Sequence, residues 1–203
     1  MRRLSQAAAI ALAALLHLSP VACAREPREE GAVLMNELMS GKAAVGAPFT
    51  LPDARGRKRS LGEFRGKVVL LYFGYTTCPD VCPTDLASIG KAMRLLGAAA
   101  DGVQPIFVTI DPRRDTPSLL RKYVAAFDPR FIALRGSESE VRGIARSYKV
   151  SFRKIARPGG DYLIDHAAFT FLLDRSGKYV AFFPPGTPAD RMATMVREAL
   201  DAR

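Results

Sequence analysis

Soft metal ligands are scarce in this chain, whose 203 residues include two histidines and three cysteines. Any metal or thiol chemistry must therefore rest on very few side chains. Internal repeats and low-complexity stretches are absent, so nothing points to a solenoid or a fibrous chain. Basic residues are plentiful, yet none of them forms a run interleaved with aromatics, which argues against nucleic acid as a partner. The apolar stretch at the N-terminus falls short of the roughly 18 residues that cross a bilayer comfortably.

What is present at that end reads as an export signal, residues 1–24. Arg2 and Arg3 open it, Leu4 to Leu18 is rich in Ala and Leu, and Ala22-Cys23-Ala24 precedes the charged Arg25-Glu26-Pro27-Arg28-Glu29-Glu30. Three readings stay open here. Cleavage after Ala24 discards Cys23; a lipid-modified start at Cys23 keeps the chain tethered; an uncleaved segment serves as an anchor. Val21-Ala22-Cys23 suits the lipoprotein reading, while Pro20 stands where a leucine is usual. All three leave Cys78 and Cys82 as the thiols of an exported fold. Beyond the signal the chain carries 28 basic against 20 acidic residues, mostly scattered arginine. That balance fits a solvated basic surface, with an acidic protein or an anionic membrane as the alternative contact.

Residues 25–44 read as a tether and residues 45–203 as one domain, long enough for a sizeable core. Phe49–Leu51 and Lys58–Leu61 flank the turn Asp53-Ala-Arg-Gly56 as an N-terminal hairpin. Lys67-Val-Val-Leu-Leu-Tyr-Phe73 is a continuous apolar run, as expected of a central strand buried on both faces. A helix from about Pro83 carries Leu86, Ile89, Met93 and Leu96 inward. A strand over Val103–Ile110 follows, and Thr116-Pro117 opens a helix through Leu119, Leu120, Tyr123 and Val124. Phe131–Leu134 is a short strand, and Ser137-Glu-Ser-Glu140 is a capping box for the next helix. After a loop with Pro158-Gly-Gly160, a hairpin pairs Ala168–Leu173 with Tyr179–Phe183, and Thr187-Pro188 caps a last helix. The pattern predicts an α/β domain of three layers with a mixed central sheet. A cysteine pair leaving the first central strand makes that arrangement thioredoxin-like.

The pair lies in Gly74-Tyr-Thr-Thr-Cys78-Pro-Asp-Val-Cys82-Pro-Thr-Asp85. Four-residue spacing puts two sulfurs on one face of a helical turn, within reach of either a soft-metal chelate or a reversible disulfide. The positive end of the helix dipole favours thiolate, which serves both. His166, the one histidine outside the N-terminal segment, falls in the loop that passes beside the cysteines in this topology. Two thiolates and an imidazole suit Cu(I) and Zn(II), and imidazole also tolerates Cu(II). A stabilising disulfide is the bland alternative, but so short a span would constrain the unfolded chain little.

The cysteine motif, then Thr109-Ile-Asp111-Pro-Arg-Arg-Asp115-Thr-Pro117, then Asp165-His166, resemble in content and order the Sco/SenC family of copper-binding assembly proteins. The resemblance implies a thioredoxin-like fold in which Cys78, Cys82 and His166 bind copper, as Cu(I) and also Cu(II). It implies a role in building the binuclear copper centre of cytochrome c oxidase, with a copper-accepting oxidase subunit as client and another copper chaperone as donor. Together with the N-terminal signal it implies a protein tethered on the periplasmic side of a bacterial inner membrane. Such a metallochaperone turns over no substrate; the alternative is a thiol–disulfide oxidoreductase acting through Cys78 and Cys82. Asp111 matches a family position near the metal, and reads equally as a turn-initiating residue before Pro112. Asp115 is expected to organise the start of the helix at Thr116. Tyr75, Asp80 and Asp85 are expected to shape the site and cap the helix without ligating. Ala167 departs from the serine that many family members carry after the Asp-His pair.

Overall fold

The computed structural model describes residues 35–38 and 44–202. The export signal, Cys23, His17 and most of the expected tether lie outside the described residues. Five strands form the central sheet in the order β5-β4-β3-β8-β9, comprising β3 (Val68–Gly74), β4 (Val103–Thr109), β5 (Ile132–Leu134), β8 (Thr170–Leu173) and β9 (Tyr179–Phe183). β3 runs parallel to β4, and β4 to β5, whereas β8 lies antiparallel to both β3 and β9. The expected mixed sheet is present, and every residue of β3 and β4 is buried. An antiparallel pair, β1 (Thr50–Pro52) with β2 (Lys58–Ser60), forms the N-terminal hairpin, joined to β5 by a bridge from Asp53 to Leu134.

Four α-helices pack against the sheet: α1 (Val81–Leu96), α2 (Pro117–Ala125), α3 (Glu138–Ser147) and α4 (Ala189–Asp201). Successive residues of a strand face opposite sides, so Tyr72 and Phe73 define two faces. Tyr72 donates to Asp85 of α1 and stacks near Phe107, which meets Tyr123 of α2. Phe73 packs on Tyr148 at the end of α3, and Tyr148 in turn on Phe171. Helices thus cover both faces, in three layers. α1 buries Leu86, Ile89, Met93 and Leu96 as its spacing predicts. Two caps follow the sequence: Thr116 accepts from the Leu119 amide, and Ser137 with Glu140 closes a capping box.

Several details depart from expectation. Leu119 is 39% exposed, because α2 turns Leu120 and Val124 inward instead. Thr187 does not cap α4; its hydroxyl donates to the Pro184 carbonyl and leaves Pro188 at the N-cap. Leu38, inside the expected tether, is buried, and its carbonyl accepts a hydrogen bond from the Tyr179 hydroxyl at 3.3 Å. A second ribbon, β6 (Phe152–Ala156) with β7 (Tyr162–His166), occupies what reads as a loop. Most of β6 faces solvent, so the ribbon lacks the apolar run that announces a strand. Gly159 and Gly160, both with positive φ, make its turn.

Candidate metal centre

β3 brings the chain to the site and Gly74 lets it leave. A Cβ on Gly74 would lie 2.7 Å from the Tyr72 ring and 2.9 Å from Cys82 Sγ, so the sulfur occupies the space a side chain would need. Cys82 then sits in the first turn of α1, fully buried. Cys78 does not share that turn, because α1 begins only at Val81 and Cys78 lies in the irregular loop before it. The loop folds back, its Cys78 amide donating to the Tyr75 carbonyl at 3.3 Å, and this presents the first sulfur to the second. Neither cysteine is in a disulfide.

Asp115 holds this loop. Its fully buried carboxylate accepts from the Thr76 amide at 3.2 Å and from the hydroxyls of both Thr76 and Thr109. Parallel pairing aligns Gly74 with Thr109, so the ends of β3 and β4 arrive at one level and share the acceptor. Its work is therefore to pin the cysteine loop, not to organise the start of α2, where Thr116 alone caps. Burial pushes the Asp115 carboxyl up, against the pull of those hydrogen bonds.

His166 closes the site from the end of β7. Its Nε2 stands 3.4 Å from Cys82 Sγ, and the ligand atoms of Cys78, Cys82 and His166 lie within 4.8 Å of one another. The ring meets the edge of Tyr75 at 5.8 Å between centroids, and its Nδ1 is buried without a hydrogen-bond partner. The Tyr75 hydroxyl accepts from the Ile164 amide at 3.2 Å, tying β7 to the cysteine loop. These three side chains are the only such cluster of potential metal ligands among the described residues.

Asp111 is brought close but turned to other work. Fully buried, it accepts from the Tyr162 hydroxyl at 2.8 Å and pairs with Arg114. Arg114 also donates to the Tyr162 carbonyl at 2.8 Å and to Asp161 at 2.9 Å, and its guanidinium lies 3.8 Å above the Tyr162 ring. Asp111, Arg114 and Tyr162 therefore clamp the ribbon that carries His166 to the turn after β4. Sequence reasoning gave no role to Arg114 or Tyr162. Arg114 lies inside the quoted aspartate block, but only the unrecognised ribbon reveals its partner 48 positions on.

Among the remaining motif residues, Asp85 accepts from Tyr72 at 3.3 Å and from the Gly186 amide at 2.9 Å, shaping the floor of the site as expected. Asp80 occupies the N-cap of α1, yet its side chain makes no capping bond, because its backbone is outside the extended region a cap requires. Its carbonyl accepts from the Thr84 hydroxyl instead.

The electrostatics separate the two sulfurs. A hydrogen bond from the Cys82 thiol, reinforced by His166 and the Asp80 amide, holds Cys78 well below the ordinary thiol range. That same hydrogen bond to Cys78, then burial and the charge on Cys78, push Cys82 up. One proton is thus shared, with the thiolate on Cys78. Buried in apolar surroundings beside an imidazole, this is a donor set for a soft ion, and it fits copper. It is also the electronic arrangement of a nucleophilic dithiol.

A mixed sheet with helices on both faces, a dithiol at the end of its first central strand and a distal imidazole define a thioredoxin-like protein built around a soft-donor site. The family model described as SCO1/SenC matches residues 37–201, and the chain belongs to that family. The SCO2-like protein RP587 of Rickettsia prowazekii is 38% identical over 144 residues, covering 70% of each chain. Bradyrhizobium japonicum ScoI, solved with copper bound, is 38% identical at a TM-score of 0.72, over 77% of this chain and 99% of that one. BsSco is 28% identical at a TM-score of 0.62, over 79% of this chain and 95% of its own. That structure is described as a disulfide switch in a member of the Sco family of cytochrome c oxidase assembly proteins.

Proposed function

We propose that this protein is a copper metallochaperone that takes up copper through Cys78, Cys82 and His166 and passes it to a cytochrome c oxidase subunit. The convergence of those three ligand atoms within 4.8 Å is the observation that carries the reading. Cys78 is already held as thiolate, and capture of the ion displaces the proton on Cys82. Delivery proceeds by ligand exchange, the client's ligands replacing these one at a time, while the donor of copper is another chaperone. The protein works tethered on the periplasmic side of the bacterial inner membrane through its N-terminal segment. Among the described residues no helix is long and apolar enough to cross a membrane.

Transfer tests this directly. Copper-loaded protein is mixed anaerobically with the reduced, copper-free soluble domain of the oxidase subunit. The expected result is loss of copper from this chain and its recovery on the separated oxidase subunit, read by metal analysis of both proteins. Retention of copper by the donor would overturn delivery.

The thiolate on Cys78 beside the thiol of Cys82 favours a second reading. Cys78 attacks a client disulfide, one client sulfur leaves as thiolate, and Cys82 displaces the other, so this chain ends oxidised and the client reduced. An oxidised client that gains two thiols with no movement of copper would support this reading over the first.

A further inference from the structure

At the outer edge of the central sheet, beyond β5, the hairpin β1–β2, the C-terminal half of α2 and the segment before β5 enclose an open cavity of about 430 Å³. Five arginines line it, Arg55, Arg57, Arg59, Arg121 and Arg130, and Asp53 is the one carboxylate among its lining residues. Three of the five are neutralised. Arg57 pairs with Asp53 at 3.0 Å, Arg59 with Glu63 at 3.0 Å and with Asp53 at 3.6 Å, and Arg130 with Asp128 at 2.7 Å. Arg55 and Arg121 have no carboxylate partner among the described residues. Their chain positions adjoin at one lip of the cavity, because Arg121 donates to the carbonyl of Ala54, the residue before Arg55. The fold therefore spends its carboxylates on fixing three guanidiniums and leaves Arg55 and Arg121 without one on a concave surface. Planar guanidinium forks of this kind match the oxygens of a phosphate bidentately.

We propose that this cavity is an anion site for a phosphoryl group, held chiefly by Arg55 and Arg121. Placement supports a role separate from metal handling. Gln104 lines the cavity at the start of β4, while Thr109, at the other end, supports the cysteine loop. The Ala54 amide donates to the Ala133 carbonyl of the edge strand β5, so the lip carrying Arg55 and Arg121 lies three strand spacings, roughly 14 Å, across the sheet from β3. A ligand held here leaves the sulfurs and His166 open to a client. The phosphoryl group can belong to a phospholipid headgroup or to a soluble phosphate, and the two are separable by experiment.

Two titrations of the full chain at low ionic strength provide the test. One uses inorganic pyrophosphate followed by calorimetry. The other uses co-sedimentation with vesicles of phosphatidylcholine, with and without phosphatidylglycerol. The variant Arg55→Gln/Arg121→Gln runs in parallel, with Arg55→Gln alone as the milder change. Saturable pyrophosphate binding that weakens at least tenfold in the double variant supports the site with a soluble ligand. For the headgroup, the phosphatidylglycerol-dependent part of partitioning should fall about thirty-fold, from about 1 kcal/mol per arginine at a membrane surface and 1.36 kcal/mol per tenfold. Binding through the apolar N-terminus is common to both proteins and to neutral vesicles, and cancels. Absence of binding to either probe, or binding indifferent to the substitutions, overturns the proposal. Unchanged copper stoichiometry in the variants shows that the fold is intact.

Discussion

The two halves of the metal centre are held by different physics. The cysteines lie in the loop that leaves the wholly buried β3 and in the first turn of α1, and Asp115 fixes that loop from within the core. The histidine rides on a two-stranded ribbon whose other strand, β6, is mostly exposed. It is held by polar contacts, Arg114 and Asp111 on Tyr162 and Tyr75 on Ile164. Burial gives the dithiol a cooperative anchor that opens only when the domain unfolds. A marginal two-stranded ribbon clamped by a few hydrogen bonds opens at lower free energy. The difference suits a carrier, for which two ligands stay and one can yield to an incoming donor.

Removing either sulfur should have the largest effect. Cys78→Ser or Cys82→Ser is expected to abolish stoichiometric Cu(I) binding in competition with a chelator, while the circular dichroism of the domain persists. The core-held half breaks next. Asp115→Ala leaves the Thr76 amide and two hydroxyls without their acceptor and should lower stability by about 3 kcal/mol, read as a lower urea midpoint. Asp115→Asn should recover part of this.

The split between the sulfurs sets a reactivity contrast. An ordinary thiol, titrating near 9.0, is about 1% ionised at pH 7, whereas Cys78 is held far lower. Its thiolate fraction at pH 7 should therefore be about a hundred times that of an ordinary thiol. Mass spectrometry of the copper-free protein after brief alkylation should find Cys78 modified, with a rate falling only well below neutrality, and Cys82 unmodified. Smallest is the clamp alone. Tyr162→Phe removes one hydrogen bond to a buried carboxylate, worth about 1.5 kcal/mol. Amides of β6 and β7 should lose roughly tenfold in exchange protection, while those of β3 and β4 keep theirs. Equal loss in both regions would erase the distinction.

The same distinction governs what could be read from the sequence. β3, β4 and α1 were legible because burial writes itself as apolar runs and a helical stripe, and the caps at Thr116 and Ser137 because they are local. The three candidate ligands were legible because so few soft donors exist to choose from. Illegible were the features built from polar contacts between distant segments. The ribbon β6–β7 has no apolar run. The Arg114–Tyr162 clamp joins residues 48 apart, and Asp115 reaches back 39 positions to Thr76. Local reasoning also misplaced Cys78, since spacing alone suggests one helical turn where the chain makes a loop that Pro79 precedes α1 with.

The central claim is that core-held sulfurs and a ribbon-held imidazole act as one copper site. An anaerobic Cu(I) titration of the reduced protein against a competing chelator, beside His166→Ala, tests it most directly. The expected result is one copper per chain in both, with the variant weaker by tenfold or more. Binding of equal strength with and without the His166 imidazole would contradict it.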